Sequence, residues 1–294
     1  MLRGLGGMNM TRRIRNWVLG LSGLLLLAIV GLAVQRQSTA QNYRQSTTPT
    51  LFFHGGGSSY HAETHMVAAA RRAGVTHTVV RAMVSRTGKV TMVGQIPKGA
   101  INPIVEVNYA DNRQLNYAVH GQWATNVVRT LQRRYHFKAI NMVGHSLGNI
   151  SPIYYLLQHD RDARLPVLQK QVAIAGHFAG LNFKQVPASI RQPRGLTLDA
   201  AGKPNRMNAT YRQMTQLRRT LPRHQLRVLN LYGNIGGQTD GTVPNVSSLS
   251  LKYLVAKRAQ SYTEHQITGR LARHSQLHSN PTVDRQLIKF LWQK

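Results

Sequence analysis

Ser146 is flanked two residues away on each side by glycine, in Gly144-His145-Ser146-Leu147-Gly148, a G-x-S-x-G spacing. That spacing suits a serine at the apex of a turn too tight for flanking side chains, with its hydroxyl thrust outward. A serine hydroxyl is a poor nucleophile until a histidine takes its proton and an acid orients the histidine. The chain holds 13 histidines but only 9 acidic residues. The acid must therefore be one of Glu63, Glu106, Asp111, Asp160, Asp162, Asp199, Asp240, Glu264 or Asp284. Cysteine is absent, which removes disulfides, thiolate metal ligands and a cysteine nucleophile from consideration. Neither a metal nor a cofactor is expected.

Elements able to position these groups follow from the pattern of apolar residues. Thr50–Phe53 reads as a buried strand that breaks into the flexible loop His54-Gly55-Gly56-Gly57-Ser58-Ser59. Glu63–Ala73 is helix-like, and His77–Val84, Lys89–Ile96 and Ile104–Tyr109 are β-rich. Trp123, Val127, Leu131 and Tyr135 recur every four residues and predict a helix over Gln122–Tyr135. Ala139–Val143 is a strand that runs directly into Ser146 and then a helix through Leu157. Pro152 should disturb that helix unless it begins late. Val172–Ala175, Val228–Tyr232 and Tyr262–Ile267 read as further strands, and Val283–Trp292 as a closing helix. Alternating strands and helices from residue 120 onward predict an α/β domain whose central sheet is mostly parallel and flanked by helices. Residues 182–223 lack a long apolar run and predict an irregular, cap-like insertion.

A strand–turn–helix around G-x-S-x-G is the nucleophile elbow of the α/β-hydrolase fold, where chain order runs Ser, acid, His. Asp240 leaves the strand Val228–Tyr232 by a short glycine-rich loop and so emerges at the same sheet edge as Ser146. An ordinary Asp-Gly turn is its plainer reading. Asp160 and Asp162 fall at the far end of the helix after the serine. His274 and His278 both lie in the loop before the last helix. His278 is preferred, as it stands just before Ser279-Asn280-Pro281, with His274 the alternative. Backbone N–H groups of Leu147, after the nucleophile, and of Gly56, in the early glycine-rich loop, are expected to form the oxyanion hole.

Charge and the N-terminus speak to location. With 38 Lys and Arg against 9 acids the chain carries a formal +29. Arg3, Arg12, Arg13, Arg15 and Arg36 belong to residues 1–40, so the body beyond Ala40 still stands at +24. Such a surface attracts anionic membrane or cell-envelope polymer. No zinc-finger spacing, aromatic RNA-binding signature or basic-region heptad accompanies it, which argues against sequence-specific nucleic-acid binding. Arginines precede the uncharged stretch Trp17–Val34, and Ser38-Thr39-Ala40 follow. Residues 1–40 thus read as a signal peptide or membrane anchor with the body outside, 41–49 as a linker, and 50–294 as the hydrolase domain.

The segments LFFHGGGSS, INPIVEVNYADN, INMVGHSLGN, YGNIGGQTDGTVP and HSQLHSNP together resemble the cell-surface hydrolases of lactic acid bacteria and their relatives, from about Leu51 to the C-terminus. That resemblance implies an α/β-hydrolase fold with Ser146 as nucleophile, Asp240 as acid and His278 as base, and no settled substrate. Ser279 departs from it, standing where an acidic residue is expected after the histidine. The function expected is that of an exported serine hydrolase acting on small-molecule or lipid esters. A non-catalytic surface protein that holds anionic envelope polymer, or an acyltransferase using the same triad, are the alternatives.

Overall fold

The computed structural model describes residues 7–159, 162, 164–183 and 185–294, with side chains of the first helix described over 14–31. Asp160 and the first six residues of the expected N-terminal segment lie outside these.

The chain divides into a small unit, residues 1–44 with Lys294, and a body, residues 45–293. In the small unit a single helix, α1, runs Gly7–Asn42. Its stretch Ile14–Gly31 is apolar, long enough to cross a bilayer and entirely exposed.

The body is built on one eight-stranded sheet in the order β3-β2-β4-β1-β5-β6-β7-β8. Its strands are β1 Thr50–Phe53, β2 Val79–Val84, β3 Val90–Val93, β4 Ile104–Tyr109, β5 Ala139–His145, β6 Val167–Ile174, β7 Arg227–Asn234 and β8 Ser261–Thr268. Among the described strands of this sheet, only the β2–β3 pairing is antiparallel. Buried runs such as Leu51-Phe52-Phe53 and Ile104–Val107 mark central strands covered on both faces. The covering helices are α2 Thr64–Arg72, α3 Tyr117–Tyr135, α4 Ile150–His159 and α9 Pro281–Trp292. Between β6 and β8 lie the short helices α5 Ala209–Met214, α6 Leu217–Thr220, α7 Asn245–Leu249 and α8 Leu251–Val255.

Two expectations change in detail. Of the linker expected over 41–49, residues 41 and 42 belong to α1, while the carbonyls of Ser46 and Pro49 accept hydrogen bonds from the amides of Asn102 (2.6 Å) and Asn141 (2.9 Å). Its second half is therefore fastened to the body. The 182–223 insertion is irregular up to Asn208, but Val186, Ile190, Leu196, Tyr211, Met214, Leu217 and Leu221 are buried. Those scattered apolar residues anchor it to the core, and Tyr211 Oη donates to the Ser250 carbonyl (2.8 Å).

Candidate active site

β5 ends at His145, and Ser146–Asn149 form a 3-10 turn before α4 begins at Ile150. Ser146 takes φ +52°, a left-handed conformation unusual for a residue with a side chain. Both flanking glycines are sterically required. A Cβ on Gly148 would lie 2.1 Å from the Phe53 carbonyl oxygen, and one on Gly144 would lie 2.7 Å from the Asn149 amide. The turn also disposes of Pro152: α4 starts late, so the proline falls in its first turn, where its missing N–H has no helical partner to lose. Asn149, fully buried, ties the elbow to the sheet by donating from Nδ2 to the carbonyls of Ser146 (3.1 Å) and Ile174 (2.9 Å).

Asp240 sits in the loop after β7 and is 2% exposed. Its Oδ1 accepts from the amides of Thr242 (2.9 Å) and Val243 (2.7 Å), while Oδ2 lies 2.7 Å from His274 Nδ1. A second bond, from the His274 amide to the Asp240 carbonyl (2.9 Å), locks the two residues together. His274 Nε2 is 2.8 Å from Ser146 Oγ. A carboxylate only accepts, so the Nδ1 proton belongs to the Asp240 contact and Nε2 is left to accept from the serine hydroxyl.

Serine and acid therefore stand where the sequence places them, and the histidine does not. His274, the alternative, occupies the position expected for His278. After β8 the chain passes through the 3-10 turns Arg270–Ala272 and His274–Ser279, and the hydrogen bond from the His274 amide to the Asp240 carbonyl holds the start of the second beside the serine. Four residues further along such a turn carries a side chain about 8 Å away and about a third of a turn round. His278 instead packs edge-on against His145, ring centres 5.1 Å apart, with Nδ1 3.2 Å from Ser279 Oγ.

Gly55 and Gly56 border the serine. A Cβ on Gly55 would stand 3.2 Å from Ser146 Cβ, and one on Gly56 would stand 3.2 Å from Leu147 Cδ2. The structure thus brings Gly56 and Leu147 together beside Ser146. The Gly57 amide is committed to the Asn112 carbonyl (2.8 Å). His54 braces the loop, with Nδ1 donating to the Gly55 carbonyl (2.9 Å) and Nε2 accepting from the Tyr109 amide (3.0 Å).

Sequence reasoning missed the buried histidines around the site. His145 Nε2 lies 3.0 Å from the His274 carbonyl, and burial, reinforced by His274 and His278, holds its pKa well below the usual histidine value. His177 follows β6, its Nδ1 3.1 Å from Tyr117 Oη, and burial pushes its pKa down to about 4. These histidines are neutral at physiological pH. Among the described residues no group of three His, Asp or Glu is disposed to hold a metal ion.

Sheet order, elbow and the Ser146–His274–Asp240 arrangement define an α/β hydrolase. The chain belongs to the α/β-hydrolase family of unknown function DUF915, whose profile matches residues 37–294. A crystal structure of a Listeria innocua gene product has a TM-score of 0.72 and 24% identity, covering 84% of this chain and 94% of that one. A Lactobacillus plantarum protein called a cell surface hydrolase has a TM-score of 0.63 and 20% identity, covering 83% and 89%. Both agree with the family resemblance read from the sequence. No curated protein matches.

Proposed function

We propose that the protein is a serine hydrolase of carboxylic esters. The observation that carries this reading is the continuous chain from Ser146 Oγ to His274 Nε2 (2.8 Å) and from His274 Nδ1 to Asp240 (2.7 Å). His274 takes the hydroxyl proton as Ser146 Oγ attacks the ester carbonyl carbon, and Asp240 stabilises the imidazolium that forms. The carbonyl oxygen becomes an oxyanion held by the amides of Leu147 and Gly56. Collapse breaks the bond to the alcohol, which leaves with the proton from His274. Water, deprotonated by the same histidine, then attacks the acyl-serine and releases acid and free Ser146.

Export belongs to the same proposal. The exposed apolar stretch Ile14–Gly31 of α1 and the arginines before it suit a segment that leaves the body on the outer face of the membrane.

Labelling with a fluorophosphonate probe, alongside hydrolysis of a short p-nitrophenyl ester, tests the enzymatic reading. Labelling confined to Ser146 and lost in Ser146→Ala is expected. An unlabelled, inactive wild type would leave the binding-protein alternative in its place.

A further inference from the structure

A cavity of about 570 Å³ opens at the edge of the sheet opposite to Ser146. Three separate chain segments meet there: Thr47–Thr48 ahead of β1, residues 96–100 ahead of β4, and residues 134–139 from the end of α3 into β5. Lys98, Arg134, His136 and Lys138 stand exposed around it, and the half-buried rings of Tyr135 and Phe137 line it. No acidic residue lines it. Of the four ion pairs among the described residues, which take up Arg81, Arg164, His65 and His274, none involves these groups. Arg134 and His136 also suit the negative end of α3, where cations are favourable. Lys98 and Lys138 line the same cavity, and neither takes part in an ion pair among the described residues.

We propose that this cavity binds the phosphate of an anionic phospholipid headgroup at the surface of the membrane. Two lysines and an arginine supply charge-assisted donors for phosphate oxygens. Tyr135 brings the amphipathic ring that favours the membrane interface, and Phe137 adds apolar surface beside it. Thr47 lies only three residues along the chain from Arg44, the last residue of the unit that carries the apolar helix. β5 starts at the cavity with Ala139 and ends beside Ser146, which puts about 20 Å between headgroup and nucleophile at ~3.3 Å per residue. A headgroup bound here would leave the reactive serine at the far end of the sheet open to a substrate other than the bound lipid.

The inference extends the anchored reading but is tested apart from it. The native chain has no cysteine, so Pro97→Cys in the full-length protein gives one labelling point at the rim of the cavity. Incorporation into neutral phosphatidylcholine nanodiscs tests the helix. Quenching of the fluorophore by a headgroup-labelled lipid tests the cavity, and it is expected to rise when phosphatidylglycerol is added. That rise should vanish in Lys98→Gln/Arg134→Gln/Lys138→Gln and persist in Arg86→Gln/Lys89→Gln/Lys257→Gln, which removes equal charge elsewhere. Equal quenching in neutral discs, equal loss in both triple variants, or full reversal by millimolar inorganic phosphate would overturn the proposal. The first result would mean apolar contact, the second the general positive field, and the third a free-phosphate site.

Discussion

His145 Nε2 lies 3.0 Å from the backbone carbonyl of His274, while the other side of His274 is held by Asp240. A carbonyl only accepts, so His145 donates from Nε2, and burial, which holds its pKa low, keeps the ring neutral. The residue beside the serine thus helps hold the histidine that pairs with it. His145→Ala should lower kcat by roughly 10- to 100-fold with KM little changed, as expected for a misplaced catalytic group. His145→Gln, which can keep the donor, should recover much of the loss. Equal activity in wild type and His145→Ala would show that the contact positions nothing.

Two variants separate the histidines. His274→Ala should be as damaging as Ser146→Ala, each costing at least roughly 10⁴-fold in kcat, because the triad works as a unit. His278→Ala removes a ring that packs on His145, 5.1 Å away, and should retain most activity. Kinetics of purified variants with one p-nitrophenyl ester decide it, and a dead His278→Ala beside an active His274→Ala would reverse the assignment.

Much of this architecture is legible in the sequence because it is carried by local patterns. β1 matches its apolar run Thr50–Phe53, and the elbow matches its glycines. The failures are one local cap and several places where distant contacts override local signals. α3 starts at Tyr117 rather than Gln122, because Asn116 caps it by accepting from the Ala118 amide, and Gly121, a poor helix residue, lets α4 come close. A Cβ there would stand 2.8 Å from Tyr154 Cβ. α7 and α8 hide behind serines whose burial makes sense only in three dimensions, with Ser247 and Ser248 donating to the carbonyls of Gly180 and Gly176. His274 and His278 are equivalent as letters in a loop. The hydrogen bond from the His274 amide to Asp240 that tells them apart joins residues 34 positions away.

Stability should fall with acid. Burial lowers the pKa of His120 and of His177 to about 4 and holds His145 well below its ordinary value. The unfolded chain therefore binds more protons than the folded one once the pH drops below about 6.5. Their contribution is fully present above that pH and is lost as the pH falls. At about 1.4 kcal/mol per unit, His120 and His177 each stand to lose about 3 kcal/mol by pH 4. Urea midpoints measured from pH 7.5 down to 4.5 should decline steadily, and His177→Gln should flatten the decline. A midpoint constant over this range would contradict the burial argument.

Glu63 works in the opposite sense. Its side chain is 1% exposed, and its buried carboxyl oxygens meet no donor beyond its own backbone amide. Burial, opposed by that amide and reinforced by Glu106, holds its pKa well above the usual carboxylate range. The folded state then binds the extra proton, so stability is greatest below the unfolded pKa of about 4.3 and is lost as the pH rises toward the folded value. Glu63→Gln keeps the shape of the protonated acid and removes its charge. It should match wild type near pH 4.5 and grow more stable than wild type toward pH 8, read as a rising difference in urea midpoint. Burial also raises the pKa of Glu106, against the pull of Arg81, so its pH trend runs in the same sense, while Glu106→Gln additionally loses the bond that Oε2 accepts from Arg81 Nε at 3.1 Å. A Glu63→Gln protein that is less stable than wild type by the same margin at both pH values would mean that Glu63 is charged and paired in the fold.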